Sequence, residues 1–385
     1  MQAFTLFSSV FFRGDEEGVV FYNTDTYISK TFKPTATIKD ACRILGDMDN
    51  LYSLPVDEDN KRFCEELNDL GFGIIHDAEE LVASFPPTLV IRKDWEQIKS
   101  TKGQAKAEVL QYLSEITLFL GGRPDVKDSF CQQTEYPYPG NALMDFSQLS
   151  VFLDKASRVP KVILKFIFPY IEGYPEITKI IDRIKSLKNT KKVFVRDQDY
   201  YGNSEARRIL QSVEKHVVVL NDSRRLYFED ISDLVENRFL IFDKSGALAS
   251  EECVNKRALS NFSFVPIFDG TNEQFIKDVT FPTEQEILGG TYTKRHLFSH
   301  QVINSFVFGH LFVTPEGRVY SDLREKAIGT IQDSLHRLII AELDNNYSWR
   351  RARNTKAGCQ QCRYLDLCPS ISPLEKIMGT QCIMI

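Results

Sequence analysis

Residues 3–13 (AFTLFSSVFFR), 18–23 (GVVFYN) and 26–33 (TYISKTFK) are rich in aromatic and β-branched side chains and are separated by short polar turns, which predicts a three-stranded antiparallel ribbon. The apolar positions then change period. Ile38, Ala41, Cys42 and Ile44 mark one helix, and Phe63, Leu67 and Leu70 mark a second that Gly71 stops. A small sheet with helices against it accounts for residues 1–85. Pro86-Pro87 breaks the pattern, and a charged stretch from Trp95 to about Tyr112 reads as a helical connector occupying residues 86–112.

From Ile116 the text alternates strands with helices, as in βαβ units around a parallel sheet. Six strands are expected: ITLFLGG at 116–122, KVILKFIF at 161–168, KKVFVRD at 191–197, HVVVLND at 216–222, RFLIFD at 238–243 and FSFVPIFD at 262–269. Segments such as EITKIIDRIKSLK at 176–188 and SEARRILQSVEK at 204–215 carry apolar positions three and four apart between them. The fold class is therefore α/β, with an open, partial (β/α)6 barrel over residues 113–285. After residue 286 the rhythm stops. A hairpin at 306–320 turning at Pro315-Glu316-Gly317, a helix from Thr330 to about Leu343 and a Cys-rich tail make up residues 286–385.

Composition narrows the functional classes. A chain of 385 residues that is 43% hydrophobic and 26% charged can bury a large core unaided. A net charge of -6 supplies no basic field for a polyanion, so nucleic acid is not an expected partner. The longest apolar run, Val162 to Ile171, is interrupted by Lys165 and falls short of the roughly 20 residues that cross a bilayer, so no membrane partner is expected. Residues 1–12 lack a basic start and a small-residue cleavage site, which gives a cytoplasmic expectation. Of 8 Cys, four cluster at the end of the chain, a placement that suits metal ligation in a reducing compartment.

Cys359-x2-Cys362-x5-Cys368-x13-Cys382 offers four soft ligands, enough for a tetrahedral Zn2+ site or a [4Fe-4S] cluster. Spacing alone does not separate the two. The surrounding text resembles a family, the SPASM domain that ends many radical S-adenosylmethionine (SAM) peptide-modifying enzymes. FGHLFVTPEGRVY at 308–320 looks like that family's hairpin, Ile328-Gly329-Thr330-Ile331 like its glycine element, and GCQQCRYLDLCPS at 358–370 like its Cys-x2-Cys-x5-Cys stretch. The resemblance implies one auxiliary [4Fe-4S] cluster on Cys359, Cys362, Cys368 and Cys382, with Zn2+ as the alternative. A second auxiliary cluster is not expected, because Asp322, Ser334 and Ser372 stand near the places where the family has cysteines; His310 and His336 could substitute, but a lone His beside apolar strands or helices reads as a packing residue.

The same family places a Cys-x3-Cys-x2-Cys loop after the first barrel strand, but here GGRPDVKDSFCQQTEYPYPG contains Cys131 alone. One thiolate cannot hold the cluster that receives SAM. The glycine-rich turn after the second strand is reduced to Tyr174-Pro175-Glu176. S-adenosylmethionine is thus not an expected cofactor, and Cys131, Cys42, Cys64 and Cys253 read as small, partly buried thiols. No HExxH, P-loop, Rossmann glycine fingerprint or GxSxG is present.

Residues 1–85 resemble the winged-helix peptide-recognition module of maturases acting on ribosomally made peptides. By that resemblance a precursor peptide adds as a strand along Tyr27, Ile28, Ser29, Lys30, Thr31 and Phe32, beside Arg62, Phe63 and Glu66. The whole reads as a noncatalytic, pseudo-radical-SAM protein that binds a precursor peptide, an active radical SAM maturase, or both. Two other readings remain open: a TIM-like hydrolase or lyase using Asp222, Asp243 and Asp269 at strand ends with a structural zinc tail, and a single-cluster electron carrier.

Overall fold

The computed structural model describes residues 2–80, 82, 109–225, 231–345, 348–379 and 382; most of the expected connector lies outside them. The first expected strand is two strands. β1 (Gln2–Leu6) and β2 (Val10–Gly14) are separated by a turn in which the Val10 amide donates to the Phe7 carbonyl, so the chain changes sheet at Ser8-Ser9. β2 pairs antiparallel with β3 (Val19–Asn23), and β3 with β4 (Ser29–Phe32).

β1 instead becomes the centre of a second three-stranded sheet, flanked by β5 (Ser53–Pro55) and β6 (Gly73–Asp77), neither of which the pattern announced. Gly73 is required there, since a Cβ would stand 2.3 Å from the Phe4 ring and 2.4 Å from the Thr5 carbonyl. Helices α1 (Ala36–Leu45), capped by Thr35, and α2 (Lys61–Asp69) lie where expected. Phe4, Phe21, Phe32, Phe63 and Phe72 close the core between these elements.

All six expected strands of the βα region form, as β7 (Glu115–Phe119) and, after the two-residue β8 (Gly122–Arg123) and β9 (Tyr138–Pro139), β10 (Ile163–Ile167), β11 (Lys191–Arg196), β12 (Val217–Asp222), β13 (Glu236–Ile241) and β14 (Phe262–Pro266). They are parallel neighbours in sequence order. Helices α3 (Phe146–Ala156), α4 (Ile177–Ser186), α5 (Ser204–Leu210), α6 (Lys244–Arg257) and α7 (Glu273–Thr280) alternate with them. α8 (Lys294–Val302) follows, and then the expected hairpin, β15 (His310–Val313) and β16 (Arg318–Tyr320).

That hairpin is part of the same sheet. β15 runs parallel to β7 on the side away from β10, and β16 and the short β17 (Gly329–Thr330) extend it to nine strands in the order β14-β13-β12-β11-β10-β7-β15-β16-β17. The molecule is thus a mixed α/β fold around a parallel-rich central sheet. Thr330 is drawn into β17, so the following helix, α9, spans Leu335–Asn345 rather than starting at Thr330. α10 (Pro373–Met378) precedes the last described residues. Among the described residues no helix is long and apolar enough to cross a membrane.

Strand alternation gives the central sheet two different faces. Ile116, Leu118, Leu164, Phe166, Val193, Val195, Val217, Val219, Phe239, Ile241, Leu311 and Val313 form the face under the helices, all of them buried. The opposite face is apolar in its C-terminal half, with Phe119, Ile167, Phe194, Leu220 and Leu240. In its N-terminal half it carries Glu115, Lys165, Lys192, Glu236 and Arg238. A parallel sheet needs cover on both faces, and this face is the one on which chemistry is sought.

Candidate functional site

The four tail cysteines lie on turns. Gly358, at φ 84°, leads into Cys359, whose carbonyl accepts from the Cys362 amide; the Cys368 amide donates to the Tyr364 carbonyl. Cys359, Cys368 and Cys382 are buried, Cys362 is half-buried, and all four are free thiols. Burial pushes the Cys362 thiol up and the Cys368 thiol to about 12, and both sense Cys359 and Cys382 electrostatically. Two sulfurs already receive N–H donors, Cys359 Sγ from Arg353 Nη1 at 3.8 Å and Cys362 Sγ from the Tyr364 amide at 3.4 Å.

The donor set fits a thiophilic group in kind. Among the described residues, however, no three His, Cys, Asp or Glu side chains are set so as to hold one ion. The sulfurs gather in one region without closing on a point. The tail also has order that its sequence did not advertise. Arg353, 4% exposed, grips Glu375 with two bonds of 3.0 Å and donates to the Pro369 carbonyl. Tyr364, Leu367 and Cys368 pack against Phe11, Val20 and Tyr22 of the N-terminal sheet. Arg363 ties the same turn to Asp15 and Glu17.

The places where the resembled family keeps its second cysteine set are occupied otherwise. Asp322, 3% exposed, is held by Arg324 and Lys376, which keep its carboxyl well below the usual carboxylate range despite burial. Ser334 accepts from the Arg337 amide, and Ser372 caps α10. His310 faces Glu115 at 3.7 Å on the central sheet and makes no contact with the tail cysteines.

The non-helical face of the sheet is covered by the chain itself. The segment after β7 crosses it, and Val126, Phe130, Cys131 and Tyr136 share one buried cluster with Phe119, Ile167, Phe194, Leu220, Leu240 and Phe242. Its ties reach from β10 to beyond β14. Arg123 binds Asp199 and Asp125 binds Arg196 near the end of β11, while Gln133 exchanges two hydrogen bonds with the backbone of Phe268 beyond β14. Glu135 is clamped by Lys165 of β10 and Arg238 of β13, each at 2.5 Å, and Lys165 also binds Glu115 at 2.7 Å. Cys131 is buried with its thiol donating to the Asp128 carbonyl at 3.0 Å, and burial raises it to about 12, so it is a neutral thiol. What space is left between this segment, β7, β15 and Arg324 is a cavity of about 130 Å³.

The sequence singled out Lys165 only as an interruption of an apolar run; Glu135, Arg238 and Arg353 had no local signal. The acidic strand-end residues are engaged in structural roles. Asp222 forms a two-pronged pair with Arg224, Asp243 caps α6, and Asp269 accepts from Thr271 in its own turn.

In the N-terminal sheet, β4 is an edge strand paired only with β3 among the described residues. Asn23 donates to the Ile28 carbonyl, so by alternation Ile28, Lys30 and Phe32 bond towards β3, and the N–H and C=O groups of Ser29 and Thr31 point outward. Tyr27 and Ile28 are exposed, Lys30 pairs with Glu66 at 3.1 Å, and Arg62 is exposed on α2. Phe32 and Phe63 meet edge to face in the core, 6% and 7% exposed, and so are not part of an open surface. The Ser29 hydroxyl donates to the Leu288 carbonyl.

No protein-family model matches the chain, and no curated protein matches it by sequence. Among solved structures, that of Streptococcus suis SuiB bound to precursor peptide SuiA is similar at TM-score 0.50 and 11% identity, covering 99% of this chain and 97% of that one. Another structure of Streptococcus suis SuiB gives a TM-score of 0.47 at 10% identity over 98% and 97% of the two chains. A structure of anSMEcpe with bound AdoMet gives 0.44 at 12% identity, over 66% of this chain and 88% of that one. The chain shares the fold of SuiB.

Proposed function

We propose that this chain is a noncatalytic, radical-SAM-like partner protein in the maturation of ribosomally made peptides, with the βα region as a partial (β/α)6 barrel, residues 1–85 as a winged-helix-like peptide-recognition domain and residues 286–385 as a SPASM-like domain. The observation that carries the reading is the covered sheet face. Where an active relative needs a cysteine loop and room for SAM, this chain packs Phe130, a neutral Cys131 and Tyr136 against the strands and clamps Glu135 in place. A site already filled by its own chain leaves binding as the function. Similarity in fold to SuiB, seen bound to precursor peptide SuiA, supports a precursor peptide as one ligand. The outward-pointing backbone groups of Ser29 and Thr31 are where it would pair, and an active radical SAM maturase is the proposed second partner.

Cys359, Cys362, Cys368 and Cys382 would hold one [4Fe-4S] cluster, which supplies a one-electron couple and cross-links the tail. Arg353 and the Tyr364 amide, which donate to Cys359 Sγ and Cys362 Sγ, would donate to two of its ligating thiolates. The direct test is anaerobic reconstitution followed by strong reductant and SAM. No 5'-deoxyadenosine is expected above a cluster-free control, whereas co-purification with the maturase and saturable peptide binding are. Turnover of SAM, or peptide binding that survives deletion of residues 1–85, would overturn the reading.

A further inference from the structure

Between the tail and the region after β16 lies a cavity of about 370 Å³ that the partner role does not use. Asp322, Arg324, Arg351, Lys356, Glu375 and Lys376 line it. Its two deepest carboxylates, each 3% exposed, are saturated by cations. Asp322 accepts from Arg324 Nε and Nη2 at 2.8 Å each and from Lys376 Nζ at 2.9 Å. Glu375 accepts from both Arg353 Nη atoms at 3.0 Å and from Lys356 Nζ at 2.6 Å. Glu325, on the rim, pairs with Arg351.

The charges do not cancel. Among the described residues, Arg324, Arg351, Arg353, Lys356 and Lys376 stand against Asp322, Glu325 and Glu375, so positive charge is in excess in and directly behind the wall. The carboxylate oxygens are taken, but two of the cations, Lys376 and Arg351, have donors to spare. The Lys376 ammonium has three N–H groups and gives one to Asp322, and the Arg351 guanidinium bonds Glu325 through Nη1 alone. Inside a protein wall such a surplus acts on anions far more strongly than it does in water.

From this cavity we infer a binding site for a small, multiply charged oxyanion, a phosphate or a compact dicarboxylate, held by Lys376 and Arg351 with charge-assisted hydrogen bonds. The bound group would rest on the Asp322–Arg324 pair, which also borders the cavity on the sheet face.

The test is calorimetric titration of the full-length protein with sodium phosphate and, separately, sodium malonate, at ionic strength held constant with sodium chloride. Saturable one-site binding of at least one probe is expected, weakened about tenfold or more by Lys376→Gln and by Arg351→Gln, in line with loss of a charge-assisted bond. Arg208→Ala on α5 should change nothing. Lys376→Gln keeps a donor for Asp322; should it still unfold by circular dichroism, Arg351→Gln, at a half-buried rim position, decides the matter. The inference is wrong if neither probe binds below about 10 mM, or if the folded variants bind as tightly as the parent. Neither result bears on the partner role, which is read by SAM turnover and peptide capture.

Discussion

Lys165 is the one charge in the strand Ile163–Ile167, and its neighbours account for it. It sits between Glu115 and Glu135, and Arg238 closes Glu135 from the other side. Burial opposes ionisation of Glu135, but Lys165 and Arg238 more than offset it and hold the carboxyl at about 2, below its ordinary 4.5. A carboxyl lowered in this way contributes stability that is complete above its ordinary range and lost as the pH falls through 4.5 towards 2. Glu135→Gln should therefore cost about 3–5 kcal/mol at pH 7, as expected for breaking a buried ion pair. Urea midpoints at pH 7 and at low pH check this: the gap between parent and variant should narrow on acidification, and equal midpoints at pH 7 would refute the clamp. Cys362→Ala is expected to remove most of the roughly four irons per chain that a single cluster brings, measured as iron and sulfide after anaerobic reconstitution; eight irons in the parent would mean a second site. At this scale the cysteines were legible because their spacing is local. The clamp was not, because Glu135 and Arg238 are 103 positions apart and nothing near either one announces the other.

Among elements, β4 is the one on which the proposed binding role depends. Its register places the outward amides at Ser29 and Thr31, which sharpens where a substitution should act. Thr31→Pro removes a donor that faces outward and is tolerable on an edge strand, so it should weaken peptide capture about 3–10-fold, one hydrogen bond's worth, without unfolding the domain. Lys30→Pro removes a bond to β3 and should lower the melting temperature instead. Peptide titration alongside thermal melts separates the two; equal effects of both variants on capture would argue against strand addition. Sequence periodicity found β3, α1 and α2 because their apolar spacing is regular. It ran β1 and β2 together, because the only break between them is the polar pair Ser8-Ser9 inside an aromatic run. β5, with three residues, is too short to carry a period, and β6 follows Gly71 so closely that the glycine reads only as the end of α2.

On the scale of the whole molecule, six parallel strands in chain order were readable from alternating apolar segments, but their union with the C-terminal hairpin was not, since pairing between distant strands leaves no local trace. β15 completes β7 with Leu311 and Val313 set against Ile116 and Leu118. Residues 1–285 alone would leave β7 a bare edge beside buried apolar side chains. That truncation is expected to aggregate, while the full chain stays dispersed, and light scattering at matched concentration distinguishes the two. The same junction also sets the timetable of folding. The Ser114 amide donates to Gly309, its partner 195 residues further along the chain, so a growing polypeptide carries the open side of β7 while all of those residues are added. Closing so long a loop is slow, and until it closes the nascent chain is a substrate for chaperones and a template for its neighbours on the same message.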